Sequence, residues 1–173
     1  MADARFPIGR VTLPATFTPA ERRAAIARIA ALPQKLFDAV RGLDEEQLDT
    51  RYRAGGWTLR QVVHHIADSH VQAYVRHKLT ITESMPTIQE YDEAAWARMP
   101  DANAPIGSSL AIVQHIHGRL AHALSAQPEK VFGNRCMHTA DGEKTLDDLV
   151  ATYAWHGEHH VAHITTLRAK KGW

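Results

Sequence analysis

The segment TLDDLVATYAWHGEHHVAHITTLRAKK, residues 145–171, holds the plainest helix of the chain and its densest group of histidines. Thr145 stands as an N-cap with Asp148 three residues on. Arg168, Lys170 and Lys171, followed by Gly172, mark the other end. At 100° per residue with Leu146 at zero, Leu149, Val150, Tyr153, Gly157, Ile164 and Leu167 fall within about 60° of one line, a buried stripe. On the same wheel His160 lies about 40° off centre, His156 about 80°, His163 about 100° and His159 about 140°. His156 and His160 are therefore four residues apart on the inner edge of the stripe, where two imidazoles can reach one ion. His159 is expected to face mainly outward, and Gly157 to let a neighbouring helix or a substrate come close.

Three further helices lie upstream. Thr58 to Gln61 repeats the capping pattern and opens a helix to about Glu83, on which Leu59, Val62, Val63, Ile66, Ala73 and Tyr74 form the stripe. His70 and His77 fall inside that stripe. His65 lies about 60° beyond Val62 and His64 about 80° beyond Tyr74, so geometry leaves His65 and His70 both open as a third ligand. Thr18-Pro19-Ala20-Glu21 starts a helix through Val40, which Pro33 is expected to kink or interrupt. Ser108 or Ser109 caps another, to about Gln127.

Residues 1–17, with Pro7 and Pro14, read as an extended arm without a secretory leader. The connectors are 44–56, 84–107 and 128–144; the second is long enough to be functional or partly helical. No run of period-2 strands is evident. The expectation is an all-α, single-domain four-helix bundle with long connectors, which builds a site from inward-facing side chains.

Composition narrows the chemistry. The chain has 173 residues, 45% of them hydrophobic, and a net charge of +1. No strong field recruits nucleic acid or a membrane, and no apolar run of about 18 residues spans one. The lone Cys136 forms no internal disulfide and fits a reducing compartment, so a cytoplasmic location is expected. Twelve histidines are the exceptional number. His-Glu-x-x-His and its inverted form are absent, as are a cysteine-pair zinc site, a phosphate loop and a Gly-x-Ser-x-Gly elbow. Buried structural roles are the default for His70 and His77. Surface positions are the default for His64, His115, His117, His122, His138 and His159.

Residues 5–9 (RFPIG), 55–70 (GGWTLRQVVHHIADSH), 86–88 (PTI), 91–96 (YDEAAW) and 155–164 (WHGEHHVAHI) together resemble the YfiT-like branch of the DinB superfamily, over nearly the whole chain. The resemblance implies a DinB-type four-helix bundle, a homodimer, and three histidines holding one divalent metal per chain, zinc or nickel. By that analogy the ligands are His65, which precedes Ile66-Ala67-Asp68, with His156 and His160.

Three neutral imidazoles leave positions open for water or substrate, the arrangement of catalytic zinc. The resemblance implies a metal-dependent hydrolase acting on a small molecule. The rival activity is transfer of a low-molecular-weight thiol to an electrophile, since a metal also deprotonates thiols. A non-catalytic metal- or ligand-binding bundle is the other class, and a structural scaffold the last. No catalytic base is identified. Gln61 is expected to cap rather than support a ligand, Asp68 to point away from the stripe, and Glu158 to face solvent. Arg76 and Tyr91 are weighed as contacts to an anionic substrate against surface or packing roles. The segment holding Tyr91 and Trp96 is expected to cover the site.

Overall fold

The computed structural model describes residues 3–173; Met1 and Ala2, the start of the expected arm and of the stretch read for a leader, lie outside the described residues. Four long helices carry the fold: α1 (Pro19–Val40), α3 (Leu59–Thr82), α5 (Gly107–Ser125) and α6 (Leu146–Lys171). Short helices α2 (Glu45–Leu48) and α4 (Glu93–Trp96) lie in the connectors. Full capping boxes start α1 at Thr18, α3 at Thr58 and α6 at Thr145, and Gly172 closes α6 in the left-handed region at φ 72°. Ser108 and Ser109 do not cap α5. Its N-cap is Ile106, without a side-chain bond, and Ser109 is engaged by His64 instead.

Both α1 and α3 pack chiefly on α5 and α6. Of the long helices consecutive in the chain, α1 with α3 and α5 with α6 therefore stand across the diagonal, which is why connectors 44–56 and 128–144 must be long, while α3 and α5 are neighbours. The ends are tied by polar bonds. Arg22 of α1 reaches Asp147 of α6 at 2.6 Å, and Arg168 of α6 donates to Ala39 O at 2.8 Å. Among the described residues no helix is long and apolar enough to cross a membrane.

The expected four-helix bundle is present, and it carries one small sheet in its connectors: β1 (Thr87–Ile88) pairs parallel with β2 (Arg135–His138), which pairs antiparallel with β3 (Gly142–Thr145). Strands of two and four residues are too short to show an alternating pattern. This sheet, with Glu90 N bonded to Thr139 Oγ1 at 2.8 Å, anchors the 84–107 segment. One expectation is corrected, that for Pro33. It does not interrupt α1, which runs through it; what it does is leave the Ile29 carbonyl, four residues back, without its ladder N–H.

Two large apolar clusters make up most of the core, and a small third one joins Ile88, Cys136 and Leu149 under the sheet. Of the large clusters, one gathers Leu36, Val62, Ile66, Val113 and Ile164; the other gathers Ile26, Leu120, Leu124, Leu146 and Val150. Each such side chain, taken from water, contributes roughly 1.5–3 kcal/mol. On α3, α5 and α6 the step from one cluster to the other falls at His70, His117 and His156, so a layer of imidazoles crosses the middle of the bundle. Gly157 sits at the same level. A Cβ there would be 2.3 Å from Leu32 Cδ2 of α1, so the glycine admits a neighbouring helix, one of its two expected uses.

Candidate metal centre

His65 comes from α3, His156 and His160 from successive turns of α6. One nitrogen from each lies within 4.8 Å of the others, and Nε2 of His65 is 3.3 Å from Nε2 of His156. The three rings pair at centroid distances of 4.5 to 5.2 Å. Trp57 closes one side, its ring 4.6 Å from that of His65. Burial, with help from the neighbouring imidazoles, holds all three rings in the neutral form. His65 is pushed down to about 4, and His156 and His160 lie well below the ordinary histidine value. Neutral imidazoles are what a metal requires.

Behind the cluster runs a file of histidines. His117 Nδ1 is 2.6 Å from the freed Ile29 carbonyl, His117 Nε2 is 2.8 Å from His70 Nδ1, and His70 Nε2 is 3.1 Å from His156 Nδ1. A carbonyl only accepts, so His117 Nδ1 donates and its Nε2 accepts. His70 Nδ1 then donates to His117, and His156 Nδ1 donates to His70. His70 and His117 are also held neutral by burial. The outcome is that Nε2 of His156 presents a lone pair to His65 and His160. A ligand oriented by the bond its other nitrogen makes is the usual support for a metal-binding histidine.

Two cavities flank the cluster. One, about 620 Å³, is lined by Ser69, Arg76, Tyr91, Tyr153 and His156 with Glu93. The other, about 280 Å³, is lined by Tyr52, Trp57, His159, His160 and His163, again with Glu93. Arg76 donates to Tyr153 Oη at 2.6 Å and to the Gln89 carbonyl. Tyr91 therefore does line the site; Trp96 packs on it at 4.7 Å.

Several positions differ from the sequence reading. His159 is buried rather than outward, because the arm covers that face. Phe6 lies against its ring at 5.8 Å, and the Arg5 carbonyl accepts from His163 Nε2 at 3.3 Å. His64 is buried, bonded to Ser109 Oγ at 2.7 Å and Ala104 O at 2.9 Å. His117 is fully buried in the file just described. Glu158 is partly covered and paired with Arg28 and Lys35. Arg76 is buried at the cavity wall, not on the surface. His77 bonds Ala73 O at 2.6 Å in a structural role, His115 and His122 are exposed, and Gln61 caps α3 while donating to Ala97 O at 2.8 Å. His70, an open rival to His65, supports a member of the cluster from behind.

The whole chain has close relatives. It is 45% identical over 177 residues to a protein of Bacillus mycoides and 43% identical over 173 residues to one of Bacillus cereus, covering 100% of each chain in both cases. Both relatives are designated, provisionally, metal-dependent hydrolases. The solved structure of YfiT from Bacillus subtilis, described as a probable metal-dependent hydrolase with an unusual four-helix bundle topology, superposes with a TM-score of 0.96 at 39% identity, covering 99% of each chain. The sequence profile of the DinB superfamily matches residues 28–164, and with that match and these relatives the chain belongs to the DinB superfamily.

Proposed function

We propose that this chain is a metal-dependent hydrolase of a small molecule, working with one zinc or nickel ion held by His65, His156 and His160. The observation that carries the reading is the three neutral imidazoles converging beside a cavity of about 620 Å³. The donor set fits such an ion. Two ligands on a tetrahedral ion with bonds of about 2.0–2.1 Å stand roughly 3.3–3.4 Å apart, and the His65 and His156 nitrogens are 3.3 Å apart. The designation of the Bacillus relatives supports the same reading.

A divalent ion bound there supplies Lewis acidity, which activates water near neutral pH. The remaining work falls to the protein. The Tyr153 phenol, kept protonated by burial, accepts from Arg76 and retains its own proton to donate toward the cavity. We assign Glu93 as the proton acceptor. It is the carboxylate that lines both cavities, and partial desolvation at their mouth, with the charges of Glu90 and Asp92 alongside, raises its pKa, in the direction a general base needs. The homodimer and a cytoplasmic location belong to the same proposal.

Metal analysis of protein purified without a His-tag, combined with an ester and amide substrate panel, tests this. About one divalent ion per chain is expected, lost in His160→Ala without loss of helix, together with turnover that stops on chelation. Unchanged metal in that variant removes the ligand assignment. Turnover that requires an added thiol replaces hydrolysis with thiol transfer, and metal binding without any turnover leaves a binding protein.

A further inference from the structure

The wall of the larger cavity holds a cation that no carboxylate touches. Arg76 is 9% exposed, and among the described residues no carboxylate comes within ion-pair distance of it. Two of its nitrogens donate to neutral oxygens, Tyr153 Oη and Gln89 O, while its Nε is buried with no partner. The Tyr91 hydroxyl, on the same cavity, is likewise buried and unpartnered; the Ser69 hydroxyl lies beside it but outside hydrogen-bond geometry. Burying a guanidinium unpaired is costly, and an orphaned N–H adds to that cost. The other two buried arginines are paired, Arg22 with Asp147 and Arg60 with Asp49. Arg76 is the exception, and it lies beside His156.

We propose that the cavity takes a substrate bearing one carboxylate, held by the Arg76 guanidinium with the Tyr91 hydroxyl, so that its scissile group lies toward the three histidines. The proposal deepens the hydrolase reading and rests on it for the second clause. A single negative charge is specified because Glu90, Asp92 and Glu93 line the same cavity and are exposed at its mouth. They repel a second anionic group, while the buried guanidinium compensates the first. A guanidinium is also the side chain whose planar donors match a carboxylate.

The test uses the full-length chain labelled with ¹⁵N-arginine, both as purified and after removal of metal. It is titrated with butyrate, butyramide and succinate while the side-chain Nε–H signals are followed. The expected result is a shift of the Arg76 Nε–H by butyrate in both preparations, with butyramide and succinate each at least about tenfold weaker. Arg76→Lys keeps the charge but loses the planar donors, and Tyr91→Phe removes only an unpartnered hydroxyl. Both are expected to fold and to weaken butyrate by several-fold or more. Equal binding of butyramide, an unmoved Arg76 signal, or unchanged affinity in both variants overturns the proposal. Butyrate binding that vanishes with the metal places the carboxylate on the ion, which overturns this subsite and leaves the hydrolase reading standing. Butyrate binding by a chain whose histidines take up no metal even when zinc and nickel are supplied upholds this subsite and overturns the hydrolase reading.

Discussion

His70 Nε2 stands 3.1 Å from His156 Nδ1, and this contact turns the other nitrogen of His156 toward His65. His70→Leu leaves the His156 N–H without an acceptor. Metal affinity, measured by competition with a chromophoric chelator, is expected to fall about 10- to 100-fold while the helical spectrum is retained. The exposed His115→Ala change is the control. Proton-detected ¹⁵N shifts of the metal-free chain should report His156 protonated on Nδ1; a mixture of tautomers, or unchanged affinity in His70→Leu, refutes the role of the contact.

Removing the metal should lower thermal stability. A ligand that binds only the folded state contributes about 2.7 kcal/mol at 100 times its Kd, which for a chain of this size is roughly 5–10 °C in Tm. Calorimetry with and without a chelator measures the difference. It should disappear in His160→Ala, and a chelator effect of the same size in that variant would mean the ion sits elsewhere.

Acid should destabilise the metal-free bundle well before its carboxylates titrate. Burial pushes His77 down from 6.5 to about 4 in the folded chain. Between those values the unfolded chain binds a proton that the folded chain does not. The contribution of His77 is therefore fully present above about pH 6.5 and is lost as the pH falls toward 4, with a slope of up to about 1.4 kcal/mol per pH unit. Urea midpoints at pH 7, 6 and 5 should decline, and the His77→Met decline should be shallower. Parallel curves for the two proteins would rule out His77 as a source.

Gly157→Ala forces a methyl into Leu32, and overpacking of this kind costs about 1–3 kcal/mol. Pairing it with Leu32→Ala should recover part of the loss, because the two sites share one volume. Strict additivity of the two changes by denaturant titration would show that they do not meet.

The four long helices were legible because each of three begins with a capping box and all carry a 3.6-residue stripe. The sheet was not, since hydrogen bonding across Thr87, Met137 and Glu143 leaves no pattern in so few residues. His156 and His160 could be chosen over His159 and His163 from the stripe of their own helix. A helical wheel sees only its own helix, however, and so His159 was misplaced: what covers it is Phe6, more than a hundred residues away in sequence. The choice between His65 and His70 had no answer within one helix, because it depends on what stands behind His156. His117 did leave a signal. Val113, His117, Leu120 and Leu124 lie on one face of α5, and a histidine within such a stripe is buried. That Pro33 frees the carbonyl of Ile29 follows from the sequence too, but that His117 of another helix takes it does not.

That freed carbonyl bears on the order of assembly. A free neutral imidazole exchanges its proton between two nitrogens, yet in this chain the position of the His156 proton is dictated from α1 through residues of α5 and α3. The instruction passes only when all four helices are in register. A half-collapsed chain, rich in histidine, offers stray ions the wrong nitrogen at least part of the time, so the competent chelate arises at the end of folding. An ion held by Nε2 of His156 would then be expected to bind late, after the bundle has closed, rather than to nucleate it.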